Sequence, residues 1–292
     1  MSTAHRSSLI AAAAALLHTG VGAAVPPDSG QPPAAPTAAS IWRQLAPGAE
    51  RATSDDGDVR LDLLRFDLER FDAEVVVAGR GRPPHARIWL PGSGHTAAEI
   101  VRRAGAVAVV AAVNGGFFDE KGRSLGLRLT HGDVVVPLRG KVDWGVFYVA
   151  SQRAHIVHSR DFQLRPGIDA AIQVGPRILI DGAVPKLKPQ YARRTAVALD
   201  REGRTLTLVI ADEPVDASSL GTRLAALGFH SALLFDGGPS TQIAATIGAS
   251  AVKPPTPSPP KPGAAAGSAE TAGRLDIPGG YPVPDLLAIV RR

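Results

Sequence analysis

Residues 106–119 read AVAVVAAVNGGFFD, and the fold turns on how this stretch is understood. The run Ala106 to Val113 is rich in Val and bounded by Gly105 and Asn114, which suits a buried strand. At its end the chemistry changes to an amide, two glycines, two aromatics and a carboxylate. Paired glycines open backbone conformations closed to other residues. A buried strand that brings Asn114, Gly115, Gly116 and Asp119 to its exit is a rigid scaffold presenting a polar site. The same residues also suit a tight turn with Phe117 and Phe118 in the core. A second stretch shifts the balance towards a site. Residues 231–241, SALLFDGGPST, again run from a short apolar strand into a carboxylate, Asp236, and a glycine pair, Gly237 and Gly238. Two hydroxyls, Ser240 and Thr241, follow.

A helix precedes each of these strands. Thr96 and Glu99 form a capping box, with Ile100 and Val101 beginning the apolar side. Ser218 is the expected cap of a helix whose apolar face is Leu220, Leu224 and Leu227, closed by Gly228. If both strands lie in one sheet, their exits form one cleft holding Asn114, Asp119, Asp236 and Ser240. Glycine N–H groups in such a cleft receive anions. Arg194, preceding the strand 194–199, could add a guanidinium suited to phosphate, and Asp212, ending the strand 205–211, a further carboxylate. Other expected strands are 59–66, 73–78, 146–150, 155–157 and 283–290. A hairpin joins 125–129 to 133–136 at His131-Gly132, and 171–174 and 177–180 flank Gly175-Pro176.

At 292 residues, 45% hydrophobic and 20% charged, the chain can bury a sizeable core. Its net charge of +5 is spread along the sequence without a basic block, so it reads as solubility or attraction to anions rather than a nucleic-acid footprint. Residues 1–24 resemble a secretory signal: a weakly basic start, a short apolar run Leu9 to Leu17, and small residues at Gly22, Ala23 and Ala24. Residues 25–40 read as a Pro/Ala-rich leader and 252–273 as a disordered loop inside a domain covering 41–292. No membrane anchor is expected, and the mature chain belongs in a periplasmic or extracellular space. The chain has no cysteine, so disulfides are excluded. No P-loop, nucleophile elbow or zinc spacing is present. Ca²⁺ or Mg²⁺ on Asp119, Asp212 or Asp236 is compatible with their chemistry, and no other cofactor is expected.

The motifs taken together resemble the phosphodiester glycosidase family. The resemblance rests on NGGFFD at 114–119, LGL at 125–127, QVGPRILIDG at 173–182, RRTAVALD at 193–200 and FDGGPST at 235–241, with the strand ending at Asp212. It implies an α+β fold, a mixed twisted β-sheet with few flanking helices in a single domain. It also implies hydrolysis of a sugar-1-phosphodiester, such as that of N-acetylglucosamine, to free sugar and a phosphomonoester. Some bacterial members are labelled as exopolysaccharide-biosynthesis-like. The implied catalytic set is Asp236 on the sugar side, Arg194 on the phosphate, Asn114 as orienter, and Asp212 or Asp119 for water. Gly115, Gly116, Phe117, Gly126, Gly175, Thr195, Gly237, Gly238, Ser240 and Thr241 complete the implied substrate-binding set. Three departures from the family pattern are Pro239, Ala198 and Glu213. Pro239 removes one N–H from any anion nest and favours an alternative, a polysaccharide-binding or cell-envelope protein without turnover. A metal-dependent phosphodiesterase is the other alternative.

Overall fold

The computed structural model describes residues 42–79, 82–103, 108–248 and 273–292. The expected signal, the leader and nearly all of the loop 252–273 lie outside the described residues. In chain order the strands begin with β1 (Arg43–Ala46), β2 (Ala49–Asp55), β3 (Arg60–Asp67) and β4 (Phe71–Val77). Helix α1 (Ala97–Arg103) leads to β5 (Val109–Asn114), β6 (Arg128–Thr130), β7 (Asp133–Val136), β8 (Gly145–Ala150) and β9 (Arg153–His158). Next come β10 (Ile168–Val174), β11 (Arg177–Leu179), β12 (Tyr191–Leu199) and β13 (Thr205–Asp216). Helix α2 (Ala217–Ala226) precedes β14 (Ser231–Leu234), β15 (Ile243–Thr246), β16 (Arg274–Ile277) and β17 (Asp285–Arg291).

The strands form a seven-stranded sheet, β1-β2-β3-β13-β12-β14-β11, and two five-stranded sheets, β7-β6-β10-β8-β9 and β16-β15-β5-β17-β4. Every strand pair among the described residues is antiparallel. The fold is therefore mainly β, and the expected mixed sheet is corrected to three antiparallel ones. Among the described residues two α-helices accompany them.

One core cluster draws on all three sheets, with Phe66, Leu208 and Leu233 meeting Val113, Leu287, Ile172 and Phe147. Each helix covers the outer face of a sheet. Leu220 and Leu224 of α2 pack on Ile178, Ala196 and Val209, while Ile100 of α1 packs on Ala112, Leu286 and Ala288. In β5, Ala111 and Val113 face the central cluster and Ala112 faces α1. Burial on both faces is the reason this strand reads as a continuous apolar run rather than an alternating one.

The capping box forms as expected, Thr96 N donating to Glu99 Oε2 at 2.9 Å and Glu99 N to Thr96 Oγ1 at 3.2 Å. The cap of α2 is Asp216, not Ser218: its carboxylate accepts from Ser218 N at 2.9 Å and Ser219 N at 3.4 Å. Strand β13 runs on through Asp216, five residues past the expected end. A carboxylate at the strand's last residue then caps the helix without an intervening loop.

The buried Glu74 of β4 ties its sheet to the β6–β7 turn. It accepts from Arg87 N and Ile88 N, both at 2.8 Å, and contacts His131 Nε2 at 3.0 Å. Burial alone would raise the carboxyl pKa, but the hydrogen bonds from His131, Ile88 and Arg87 outweigh it and hold it below the ordinary range. The bond to Glu74 raises His131 in turn, against its own burial. A raised histidine stabilises the fold below its unfolded pKa, and that contribution is lost as pH rises through the folded value. His131 has φ +46°, which Asn tolerates. His131→Asn is therefore expected to destabilise by about 1–3 kcal/mol near pH 5 and by less near pH 8, as for one charge-assisted hydrogen bond. Urea melts at the two pH values measure it, and an equal loss at both would contradict it.

Candidate active site

The exits of β5 and β14 meet, although the two strands belong to different sheets. After β14 the chain does not turn back into its own sheet. It crosses through Phe235 to Gln242 and enters β15, the neighbour of β5. That crossing lays the Asp236 loop on the Asn114 loop: Asp236 N donates to Gly115 O at 3.0 Å, and Asn114 Nδ2 donates to Asp236 O at 2.7 Å.

Asn114 is fully buried. Its Oδ1 accepts from Thr195 Oγ1 at 2.6 Å and from Gln242 N at 3.2 Å. The amide thus joins β5, β12 and the loop into β15, and its hydrogen bonds are made within the protein. Through the bond from its Nδ2 it holds the backbone of Asp236 in place.

The Asp236 carboxylate is half-buried, with Oδ1 accepting from Gly237 N at 3.1 Å and Oδ2 from Ser240 Oγ at 2.6 Å. Burial raises its pKa above the ordinary carboxylate range. The bonds from Ser240 and Gly237 oppose the rise, and the charge of nearby Asp285 adds to it. Arg194 is buried, 6% exposed. Its Nε donates to Val215 O at 3.2 Å, and its Nη2 donates to Gln190 O. Its Nη1 lies 3.8 Å from the position a Cβ on Gly237 would take. The guanidinium is thus braced by backbone carbonyls on one side and approaches the glycine loop on the other. Burial lowers its pKa, opposed by Asp216.

Beneath the Asn114 loop lies an ion pair that the sequence did not announce. Arg128 and Asp285 have fully buried side chains, and Arg128 Nε is 2.8 Å from Asp285 Oδ1. Asp285 also accepts from Gly116 N at 2.8 Å and Ser124 Oγ at 2.5 Å. Arg128 Nη1 donates to Leu127 O at 3.0 Å and Gln173 O at 3.1 Å, and Nη2 to Phe117 O at 3.2 Å. This pair explains both glycines. A Cβ on Gly115 would fall 1.9 Å from Asp285 Oδ1, and one on Gly116 2.5 Å from Arg128 Nη2. A charged residue inside the apolar run Leu127-Arg128-Leu129 was the one legible sign of the pair.

Other expected residues fall outside the cluster. Asp119 is held in its own loop by Lys121 N, Arg123 N and the Arg123 side chain, with Nε at 2.7 Å. The hydrogen bonds from Arg123 hold its pKa low. Asp212 is exposed and pairs with Arg193, at the register shift between Ala192 and Arg194 in the β12–β13 ladder. Thr241 is fully buried and its hydroxyl has no hydrogen-bond partner among the described residues. Gly126, at φ +82°, faces Gln173, and Gly175 faces Trp144, on which Phe117 packs edge-on at 5.1 Å. Of the three departures, Ala198 is buried in the α2-side core, while Glu213 and Pro239 are exposed. Among the described residues no group of three or more acidic or histidine side chains converges as a metal site. Two open grooves elsewhere, one lined by Glu50, Arg65 and Asp67 and one by Val101, Ala245 and Leu275, contain none of these residues.

Comparison with known proteins places this geometry among relatives. The sequence profile of the family described as phosphodiester glycosidase matches residues 108–265, more than half of the chain. The chain is 32% identical over 110 residues to the uncharacterised protein YigE of Escherichia coli K12, a match taking in 34% of this chain and 43% of YigE. It therefore spans less than half the length of that curated relative. The catalytic domain of zebrafish N-acetylglucosamine-1-phosphodiester alpha-N-acetylglucosaminidase, auto-inhibited by its pro-peptide, superposes with a TM-score of 0.54 at 18% identity. That match covers 84% of this chain and 82% of the other. A candidate exported protein of Burkholderia pseudomallei K96243 gives 0.50 at 12% identity, covering 82% and 74%. Both structures share the fold.

Proposed function

Since the chain belongs to the phosphodiester glycosidase family, we propose that it hydrolyses the glycosidic bond of a sugar-1-phosphodiester such as that of N-acetylglucosamine, acting outside the cytoplasm. The observation that carries this reading is the half-buried Asp236 carboxylate on a glycine loop that the Arg194 guanidinium approaches at Gly237. Cleaving the anomeric C–O bond develops positive charge on the sugar, which an adjacent carboxylate stabilises or attacks. The departing phosphate is a good leaving group, so a guanidinium and backbone N–H groups supply much of what an acid would. Water adds its oxygen to the anomeric carbon, and its proton ends on the phosphomonoester or on solvent. Export is supported by the signal-like start and, weakly, by the candidate exported neighbour. Among the described residues no helix is long and apolar enough to cross a membrane.

The test is incubation with the α-1-phosphomethyl ester of N-acetylglucosamine in ¹⁸O-water, read by NMR and mass spectrometry. Label in the free sugar supports the proposal. Label in the phosphate means that water attacked phosphorus and a P–O bond broke, which overturns it. Pro239 favours a second reading, glycan binding without turnover, because it lacks the N–H that a third glycine would offer. Binding without product identifies it.

Arg194→Lys is expected to lower kcat/KM about 10- to 100-fold, because an ammonium cannot both hold the carbonyls of Val215 and Gln190 and reach a phosphate. Steady-state kinetics on the same ester check this, and an unchanged kcat/KM would remove Arg194 from the site.

A further inference from the structure

Residues 278–283 close one side of the Asp236 loop, and they lie beyond the 108–265 span of the family match. Hydrogen bonds fix this segment in place. Gly280 N donates to Pro239 O at 2.8 Å, Arg193 Nη2 to Pro278 O at 3.2 Å, and Gln242 Nε2 to Tyr281 O at 3.3 Å. Val283 and His95 exchange two backbone bonds at 2.9 Å each. On this braced segment Tyr281 leaves 41% of its surface exposed. Its ring packs edge-to-face on Phe118, centroids 6.2 Å apart, and its hydroxyl is 3.3 Å from Ser240 Oγ.

Proton accounting gives the hydroxyl a direction. Ser240 has one O–H, and it goes to Asp236 Oδ2 at 2.6 Å. The contact between Ser240 and Tyr281 is then a donation by Tyr281, whose oxygen is left with lone pairs only. Anything that meets this oxygen from solvent must bring an O–H or N–H. The ring beside it is an apolar face whose negative quadrupole attracts C–H edges. A pyranose has both features: a face of axial C–H bonds, and hydroxyl or amide donors around its rim. Two hydrogen bonds, of 3.3 and 2.6 Å through Ser240, link the Tyr281 oxygen to the Asp236 carboxylate, so a sugar whose anomeric carbon met the carboxylate would bring a neighbouring ring substituent towards that oxygen.

We propose that Tyr281 is a specificity-determining residue of the sugar subsite, its ring stacking on the pyranose and its oxygen accepting from the donor on the carbon next to the anomeric one. This rests on the reaction proposed above and adds to it the sugar feature that the site reads.

The experiment compares the parent chain with Tyr281→Phe and Tyr281→Ala, each also in the Asp236→Asn background so that binding is read without turnover. The probes are the α-1-phosphomethyl esters of N-acetylglucosamine, which carries an N–H donor at that carbon, and of 2-deoxyglucose, which carries none. Tyr281→Ala is expected to weaken binding of both esters at least about tenfold, as loss of an aromatic contact surface does. Tyr281→Phe should weaken the first about fivefold and leave the second unchanged, since only the first loses a hydrogen bond. In turnover the loss should fall on KM more than on kcat. Parental affinity of Tyr281→Ala for both esters overturns the proposal, as does an equal effect of Tyr281→Phe on the two. Tyr281-dependent binding without hydrolysis upholds the subsite and removes the reaction. Parental kcat/KM in Tyr281→Ala upholds the reaction and removes the subsite. A chain that neither binds nor cleaves either ester overturns both.

Discussion

Asp236→Asn is expected to lower turnover of a sugar-1-phosphodiester by at least about a hundredfold with the fold intact, as loss of one key electrostatic group does. The side-chain shape is kept, and Asn114 holds the backbone carbonyl of residue 236 whatever its side chain. The charge opposing the developing oxocarbenium is lost, together with one of the two acceptor oxygens that Gly237 N and Ser240 Oγ now use. The pH dependence follows from the raised pKa of Asp236, which burial causes. The active form is ionised, so the parent rate should rise with pH through a value above the ordinary carboxylate range. Stability runs the other way. The folded state holds this proton more tightly than the unfolded state, so the group favours folding at low pH, and the gain is lost as pH rises through the folded pKa. Asn cannot ionise, and the melting temperature of the variant should therefore gain on the parent between acidic and neutral pH. Normal turnover by Asp236→Asn would remove the carboxylate from the chemistry.

Asp285→Ala is expected to be the most destabilising single change in this region, by about 3–5 kcal/mol, because it leaves the Arg128 guanidinium buried without a counter-charge. It also orphans Gly116 N and Ser124 Oγ, both of which Asp285 now satisfies. For a domain of this size the loss corresponds to a fall in Tm of about 10 °C or more. Arg128→Met should cost a comparable amount by leaving the carboxylate alone. Combining Arg128→Met with Asp285→Ala should cost less than the two single changes summed, since neither charge then remains buried. Thermal melts of the four proteins complete the cycle. Single variants melting within about 2 °C of the parent would show that the pair does not hold the loop. Turnover should fall along with stability, because the Asn114 loop carries the backbone to which Asp236 is bonded.

Local chemistry was legible because it is written in neighbours. The capping box at Thr96 and Glu99 needs residues three positions apart, and it formed as read. The apolar runs of β5 and β14 and the glycine pairs after them were visible for the same reason, and the resemblance to the family followed from those short motifs in order. The cap of α2 was misread by two residues because Asp216 ends a strand that was expected to stop at Ala211. The charges of Asp119 and Asp212 are plain in the sequence, but the arginines with which they pair, Arg123 and Arg193, are not.

Tertiary structure decided which polar groups share one place. The sequence by itself determined that two buried strands end in polar glycine loops, that Arg194 and Asp236 are candidate reacting groups, and that the chain is of this family. It could not say that β5 and β14 lie in different sheets, because pairing is chosen by side-chain packing across sheets and not by the strand's own pattern. Asp285 is 169 positions from the Gly116 N–H it accepts, and Tyr281 is 41 positions from Ser240. Such partners leave no local periodicity to read. They are fixed only when β17 takes its register against β5, setting Leu286 opposite Asn114 and so bringing Asp285 under the glycines whose missing side chains make room for it.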